Sequence, residues 1–365
     1  MKEKKVIVCP PFFKLTRLAI ENLGYGGTER ICLYLILGLI DLGYDVVVFA
    51  CKGSHFDGAQ VIETFDPVER IKDLNEYYLK SSAQLGLALA WVKDHEEEIE
   101  VVHNHCEGWC ARTPDLSVPF IFTHHNGWTG YGQFYAPLFP SITHVAISES
   151  EKAFMQEGGM RGVERVYNGV NTSYLRQQTQ GMRKQGYAAL LGRFSPEKGF
   201  DIGIRAAIEA GVPVKIAAKI PAGGADLEFF RNSITPLLNH PLVEYVGAVN
   251  EREKALFLGQ ANLLLLPNPA YRAEPFGLVI IEALASGAPV VGSSRGAATE
   301  LVGTAGLVFD PPQDSEEYIH TLTRKIETML DTPVASAVCR QQAQVFSLEA
   351  MVDGYVDVYQ RAIQA

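Results

Sequence analysis

The sequence predicts an α/β protein of two Rossmann-like, doubly wound domains, each a parallel sheet covered by helices. Three observations predict this fold class. The 365 residues are enough for about two domains. Short apolar runs alternate with helical segments, as in a buried parallel sheet. A polar, aperiodic stretch at residues 172–186 separates two such series, so we interpret it as a linker and expect domains at residues 1–175 and 176–346.

Composition and charge narrow the function classes. The chain is 47% hydrophobic and 20% charged, as a globular protein is, and its formal net charge is −10. That charge argues against nucleic-acid binding, because phosphate contacts need clustered Lys and Arg. The first apolar run is short and ends at Pro10, so it predicts neither a secretory signal nor a spanning helix. We therefore expect a cytoplasmic protein and leave peripheral membrane contact open.

The first half opens with a strand, a glycine loop, a helix and a second strand at residues 45–50. The loop contains Gly24, Gly26 and Gly27. Such a unit often binds a nucleotide, but Glu29 stands where a dinucleotide fingerprint needs its third glycine, so an NAD site is disfavoured. A simple tight turn is the alternative interpretation of the glycines.

Three histidines, His103, His105 and His125, follow or end predicted strands of this half. Ligands of parallel α/β sheets bind at the carboxyl ends of strands, so the side chains of His103 and His105 are expected at a site or its rim. A packed core histidine is the alternative for His125 and for its neighbour His124.

A zinc site is a weaker interpretation of the segment that follows the strand ending near His103. His105, Cys106 and Cys110 offer soft ligands, but no second ligand pair stands at the spacing of a structural zinc site. The six cysteines are scattered, which fits reduced thiols better than a disulfide framework.

In the second half, Arg193 and Lys198 lie in the loop GRFSPEKG, directly after a predicted strand. Cations held at that place would counter the roughly two negative charges of a diphosphate once water is excluded. An ordinary surface pair is the alternative.

The stretch RAEPFGLVIIEALASGAPVV carries the strongest site prediction. Pro275 favours a helix that begins there, which would expose the backbone amides of Phe276, Gly277 and Leu278 as a phosphate cradle. The carboxylates of Glu274 and Glu282 would flank the cradle, too far apart to share a proton. A buried helix with two incidental glutamates is disfavoured, because an uncompensated buried carboxylate is costly.

This pattern of two glutamates separated by seven residues resembles the donor-sugar signature of retaining glycosyltransferases of the GT-B fold, family 4. In that family the first glutamate contacts donor-sugar hydroxyls, the helix-start amides hold the diphosphate, and the second glutamate binds the ribose. Glu274 and Glu282 stand at those positions. Arg193 and Lys198 match the pair that counters the diphosphate.

Further motifs of the first half carry the same resemblance. Gly26 and Gly27 look like the glycine loop that opens a helix toward the diphosphate. His125 matches a T-x-H motif that places it near the donor sugar, while His124 and Trp128 are candidates to shape the acceptor pocket.

The resemblance implies two domains facing a cleft, with the terminal helix at residues 347–365 crossing back to the first domain. It also implies retaining transfer of a hexose, with UDP-glucose as the first expectation, to an unidentified hydroxyl acceptor. His125, Arg193, Lys198 and Glu274 would be the catalytic group. The donor would be held by Gly26, Gly27, Pro275, Phe276, Gly277, Leu278 and Glu282.

No metal or cofactor is expected beyond the nucleotide sugar, because no Asp-x-Asp occurs in the chain to grip a bridging ion. Two other functions stay open on the same fold. One is a sugar-nucleotide binding protein without turnover. The presence of all four charged residues of the signature argues against it, namely Arg193, Lys198, Glu274 and Glu282. The other is a sugar-nucleotide epimerase, which would need further acid and base residues.

Overall fold

The computed structural model describes residues 5–10, 26–67, 74–106, 116–125 and 141–364. The chain divides into two compact units, and each is described here by itself. The first comprises Met1–Gly169 with Leu348–Ala365, and the second comprises Val170–Ser347.

The first unit is built on a parallel sheet of apolar strands. The strands are β1 (Lys5–Cys9), β2 (Asp45–Ala50), β3 (Ala59–Glu63), β4 (Ile99–Asn104), β5 (Phe120–His124), β6 (Ile142–Ala146) and β7 (Glu164–Arg165). Their order in the sheet is β3-β2-β1-β4-β5-β6-β7. The direction of strand addition therefore reverses between β1 and β4, which is the switch point where doubly wound sheets bind ligands.

Helices of this unit are α1 (Gly27–Asp41), α2 (Leu74–Asp94) and α3 (Glu149–Glu157). The terminal helix (Leu348–Gln364) packs against α1, β4 and β5, which confirms that the chain returns to its first domain. The packing is close, since a Cβ on Gly38 would lie 2.4 Å from Val352 Cγ2. Tyr355 and Tyr359 of the terminal helix are buried.

The second unit repeats the design with six parallel strands. They are β8 (Ala188–Arg193), β9 (Val214–Lys219), β10 (Val243–Gly247), β11 (Leu263–Leu266), β12 (Val290–Ser293) and β13 (Gly306–Phe309). The order β10-β9-β8-β11-β12-β13 places the switch point between β8 and β11. Both sheets thus confirm the predicted doubly wound fold class.

The α-helices of the second unit lie before, between and after its strands. They are α4 (Thr172–Thr179), α5 (Phe200–Glu209), α6 (Gly224–Phe229), α7 (Glu251–Gln260), α8 (Leu278–Ala285), α9 (Ala298–Val302), α10 (Ser315–Asp331) and α11 (Ser336–Gln344). The core of the unit lies under β8, β9 and β11, where α5 and α10 pack together and bury apolar side chains such as Ile204, Leu322 and Ile326.

The prediction of an aperiodic linker is wrong for the first half of residues 172–186, because residues 172–179 form α4. The Asn171 side chain caps this helix by accepting a hydrogen bond from the Tyr174 amide at 3.0 Å. Leu175 and Thr179 are buried on one face. A polar sequence hides this helix, because its stability comes from the cap and from packing rather than from an apolar stripe.

Candidate functional site

The loops after β8 and β11 meet at the switch point of the second unit. The two strands pair in register at Ala188 and Leu263, so their carboxyl ends lie side by side. Gly199, in the first loop, has φ of 59°, and a Cβ there would lie 2.0 Å from the Pro267 carbonyl oxygen of the second loop. Only a glycine allows the two backbones to come this close.

Lys198 and Glu274 form an ion pair at this junction, their charged groups in hydrogen-bond contact. Asn268 joins them, because its Nδ2 donates to the Glu274 carboxylate at 3.3 Å and lies equally far from the Glu197 carbonyl oxygen. Asn268 is held in turn by the hydroxyl of Tyr318, which donates to its carbonyl oxygen at 3.2 Å. The two catalytic candidates are therefore brought together. Asn268 was not predicted, and its signal was a polar residue two positions after a run of four leucines.

The backbone of Glu274 is fixed from a second direction. It forms an isolated bridge with Gly296, and the Ala297 amide donates to the Glu274 carbonyl oxygen at 2.9 Å. Gly296 has φ of 72°, and a Cβ on it would lie 2.1 Å from that same carbonyl oxygen. The carboxylate of Glu274 therefore projects from a backbone held in place by the loop after β12.

Arg193, the other predicted cation, ends β8 and is paired with acids. Its Nη2 donates to Glu197 Oε1 at 2.5 Å, and its Nη1 lies 3.7 Å from Asp226 Oδ2. Arg272 Nε lies 3.5 Å from the other Glu197 oxygen. Two guanidinium groups thus flank Glu197. Glu197, Asp226 and Arg272 were not predicted as partners, and the pairs with Asp226 and Arg272 depend on tertiary contacts.

The helix α8 begins three residues later than the sequence predicts. The helix begins at Leu278 with Gly277 as its N-cap at φ of 86°, so Pro275 and Phe276 precede it. Phe276 is buried, edge to face with Phe346 at 6.1 Å between ring centroids. The bridge between Glu274 and Gly296 holds Pro275 outside the helix. The helix-start donors are therefore the amides of Leu278 and Val279, not those of Phe276 and Gly277.

Glu282 lies on α8 and is 6% exposed. Its carboxylate pairs with Lys254 of α7, which is also 6% exposed and whose Nζ lies 2.8 Å from Glu251 Oε1. The argument that a buried Glu282 implies a ligand is therefore wrong, because the unit itself compensates the charge. Lys254, the cation that pairs with Glu282, was not singled out by the sequence.

In the first unit, His103 is not at a site rim. It is fully buried at β4, with Nδ1 at 2.7 Å from the Tyr359 hydroxyl and Nε2 at 2.8 Å from Thr123 Oγ1. The prediction that it faces a ligand is wrong, because the terminal helix covers that face of the sheet and supplies Tyr359.

His105 and His125 form a pair at the carboxyl ends of β4 and β5. Nδ1 of His105 lies 2.9 Å from Nε2 of His125, whereas Nε2 of His105 is buried without a hydrogen-bond partner. Burial lowers the pKa of His125 to about 4 and holds the pKa of His105 well below its usual range. Both rings are therefore neutral at pH 7, and a single N–H joins them.

A second pair, His124 Nε2 with His144 Nδ1, lies at 3.0 Å. Burial lowers the pKa of His144 to about 4. Within the described residues, no group of three or more His, Cys, Asp or Glu side chains could hold a metal ion. Cys110 of the zinc interpretation lies outside the described residues, as do Trp128 and Gly24.

Gly26 and Gly27 lie at the amino end of α1, with Gly26 as the N-cap and Gly27 as the first helical residue. Glu29 is in the first turn, where burial raises its pKa. The helix start predicted at the glycine loop is thus present near residue 27. Where the described part of the chain is concerned, no helix is both long enough and apolar enough to span a bilayer.

Comparison with known proteins places both halves in one enzyme group. Residues 174–345 match the family "Glycosyl transferases group 1", and residues 25–174 match "Glycosyltransferase Family 4". Together the two matches run continuously from residue 25 to residue 345.

Two relatives are similar to this chain in sequence. A D-inositol 3-phosphate glycosyltransferase of Nocardioides is 29% identical over 248 residues, which cover 60% of this chain and 53% of the relative. The chain thus matches about half the length of that protein. A phosphatidyl-myo-inositol mannosyltransferase of Mycolicibacterium smegmatis is 26% identical over 345 residues, covering 85% and 81%.

Among solved structures, an Anabaena protein crystallised in complex with UDP-glucose has a TM-score of 0.67 at 18% identity, covering 98% of this chain and 99% of that one. At this identity the likeness shows the fold. Two doubly wound units, a charged switch point in the second and two adjoining family matches lead to one conclusion: the chain belongs to the GT-B glycosyltransferases of family 4.

Proposed function

We propose that the protein transfers a hexose from a nucleoside-diphosphate sugar to an acceptor hydroxyl, with retention of the anomeric configuration. The observation that carries the proposal is the pair of Lys198 and Glu274 at the switch point, beside the amino end of α8. A cation, a carboxylate and helix-start amides are the groups needed to hold a diphosphate and a sugar next to each other.

The donor has two candidates. UDP-glucose is our first, and the Anabaena structure with that ligand supports it. A mannosyl donor is the second, and the mannosyltransferase relative supports it. The residues named so far hold parts common to both donors, so they do not distinguish the base or the sugar.

In the proposed reaction, charge builds up on the departing nucleoside diphosphate. Lys198, Arg193 and the amides of Leu278 and Val279 would stabilise it. Because both cations are already paired with carboxylates, phosphate oxygens would share or replace those partners. Preorganised groups of this kind act on charge that develops in the transition state.

Glu274 would orient the donor sugar through its hydroxyls, and Glu282 would hold the ribose. We assign no protein nucleophile. In the front-face scheme that we adopt, the leaving phosphate helps to deprotonate the acceptor hydroxyl. His125, neutral at pH 7, would contribute a hydrogen bond near the sugar and no charge.

We further propose that no metal ion takes part. The chain has no Asp-x-Asp, and the cations of the second unit can supply the countercharge. The acceptor is assigned to the first unit, and a cytoplasmic location stays a prediction.

A thermal-shift screen of nucleotide sugars, run in EDTA, tests the proposal. A bound donor at about 100 times its Kd stabilises the folded state by about 2.7 kcal/mol, which is a measurable shift. UDP-glucose should stabilise the protein more than GDP-mannose does. Products formed with the selected donor should keep the anomeric configuration by proton NMR. Stabilisation by no nucleotide sugar, or transfer that stops in EDTA, would contradict the proposal.

A further inference from the structure

We infer that Lys254 is a positioning residue that holds the Glu282 carboxylate for the ribose hydroxyls of the donor. The inference rests on the proposed function, because it assigns a role within the same nucleotide site. It predicts that Lys254 governs how strongly the protein prefers a ribose over a sugar that lacks the 2′ and 3′ hydroxyls.

The geometry is a buried triad on two adjacent helices of the second unit. Lys254 of α7 contacts Glu282 of α8 through its ammonium group and lies 2.8 Å from Glu251 Oε1, one turn earlier on its own helix. The side chains of Lys254 and Glu282 are 7% and 8% exposed, and that of Glu251 is 21% exposed. The contact is therefore shielded from water, unlike a surface ion pair.

Lys254 is itself held in position. Asn250 and Glu253 form a capping box at the start of α7, with hydrogen bonds of 2.9 Å in both directions. The pair with Glu251 then fixes the lysine side chain along the helix. Its ammonium group is thus presented to Glu282 from a rigid first turn.

The position of Glu282 matches the dimensions of a nucleotide. Leu278, whose amide opens α8, is four residues before Glu282 on the same face of the helix. Four residues span about 6 Å along a helix. A ribose lies at about this distance from a diphosphate held at the amino end of α8, so a carboxylate fixed at residue 282 can accept hydrogen bonds from its hydroxyls.

Removing the ammonium group would favour rotation or protonation of that carboxylate, because a buried charge that loses its countercharge is unfavourable. A neutral or rotated Glu282 no longer offers two acceptor oxygens to adjacent hydroxyls. The loss would affect ribose recognition and leave the phosphate contacts of Lys198 and Arg193 in place.

The test compares binding of UDP and 2′,3′-dideoxy-UDP to the full-length protein by calorimetry. GDP and 2′,3′-dideoxy-GDP replace them if the wild type prefers GDP. We expect the wild type to favour the ribose form by about 10-fold or more, on the order of one hydrogen bond to a charged group. In Lys254→Met this preference should fall to less than about 2-fold, and binding of the dideoxy form should change by less than about 3-fold.

Two further variants test the interpretation. Lys254→Arg keeps the charge and should keep most of the preference. Lys215→Met removes another lysine–glutamate pair of the unit, that with Glu244 at 2.9 Å, and should leave the preference unchanged. In turnover assays Lys254→Met should raise KM for the donor and change kcat by less than about 3-fold, as expected for lost uniform binding.

Because Lys254→Met removes the countercharge of a buried carboxylate, a double variant gives an independent test if the single variant fails to fold. Lys254→Met with Glu282→Gln should show the same reduced preference as Glu282→Gln alone. Equal weakening of both nucleotides in Lys254→Met, or a further loss of preference in the double variant, would overturn the inference. A wild type that binds neither nucleotide would overturn the proposed function itself.

Discussion

The two switch points of this protein share a strand order and differ in chemistry. In the second unit, the end of β8 and the loops after β8 and β11 carry Arg193, Lys198 and Glu274 in ion pairs. In the first unit, the ends of β4 and β5 carry His105 and His125, buried and neutral. Topology decides where side chains meet, and residue type decides what they can bind.

This difference changes the free-energy cost of binding a charged ligand at each switch point. Lys198 and Arg193 are partly exposed and can exchange a carboxylate partner for phosphate at modest cost. His105 and His125 are desolvated, so placing a charge on them is unfavourable. The second unit is therefore suited to an anionic diphosphate, and the first to a neutral hydrogen-bonding ligand such as a sugar hydroxyl.

The largest expected effect is on turnover. Lys198→Ala and Glu274→Ala should each lower kcat by about 10²- to 10³-fold, as loss of a group that stabilises transition-state charge does. The measurement is the initial rate with the donor selected by thermal shift, with circular dichroism to show that the variants are folded. Arg205→Ala, which removes a surface pair with Glu316, is the control and should keep wild-type rates. Wild-type turnover in both site variants would refute the assignment.

The second prediction concerns the backbone contact between Gly296 and Glu274. Gly296→Ala should lower stability by about 2–3 kcal/mol and turnover by about 10-fold, because its Cβ would strike the Glu274 carbonyl oxygen. Gly211→Ala is a matched control. It has φ of 67° but no neighbour within 4 Å of the added Cβ, so it should cost only about 1 kcal/mol. Equal urea midpoints and equal rates for the two variants would show that the close approach of Gly296 to the Glu274 backbone matters neither for stability nor for turnover.

Acid should affect the two units differently. The described histidines of β4 to β6 and their exit loops have lowered pKa values, and those of His125 and His144 are about 4, whereas an unfolded histidine titrates near 6.5. The unfolded chain therefore binds more protons between pH 6.5 and 4. Stability of the first unit is fully present above pH 6.5 and is lost as the pH falls through this window, by up to about 3 kcal/mol for each of these two residues.

Hydrogen exchange measures this directly. Protection factors of amides in β4 and β5 should fall between pH 6.5 and 4 more than those in β8 and β11. Glu29 has the opposite effect on stability, because burial raises its pKa and the folded state then binds the extra proton. The five described histidines with lowered pKa values outweigh this single carboxyl group. An equal loss of protection in the two sheets would contradict the comparison.

The smallest expected effect concerns the histidine pair. His105→Gln should lower kcat by about 3- to 10-fold, because loss of the 2.9 Å contact frees the tautomer and orientation of His125. Nitrogen-15 shifts of the His125 ring should show one tautomer in the wild type and a mixture in the variant. His55→Gln, at an exposed position, is the control. Unchanged ring shifts in His105→Gln would show that His105 does not set the tautomer.

Local signals explain what the sequence could predict. The apolar run at residues 45–50 predicts a strand with the correct limits, and strand ends indicate Arg193 and Lys198. The start of α8 was placed three residues early, because the bridge between Glu274 and Gly296 joins positions far apart in the chain. Lys254 and Asn268 were missed for the same reason, since their partners are chosen by tertiary packing.

The account depends most on a diphosphate held by fixed cations of the second unit without a metal ion. Calorimetry of UDP and UMP in EDTA, with wild type and Lys198→Ala, tests this most directly. We predict that the wild type binds UDP at least about 10-fold more tightly than UMP, on the order of one charge-assisted contact, and that the variant loses this preference. UDP binding that appears only after a divalent ion is added, or an unchanged preference in the variant, would contradict the account.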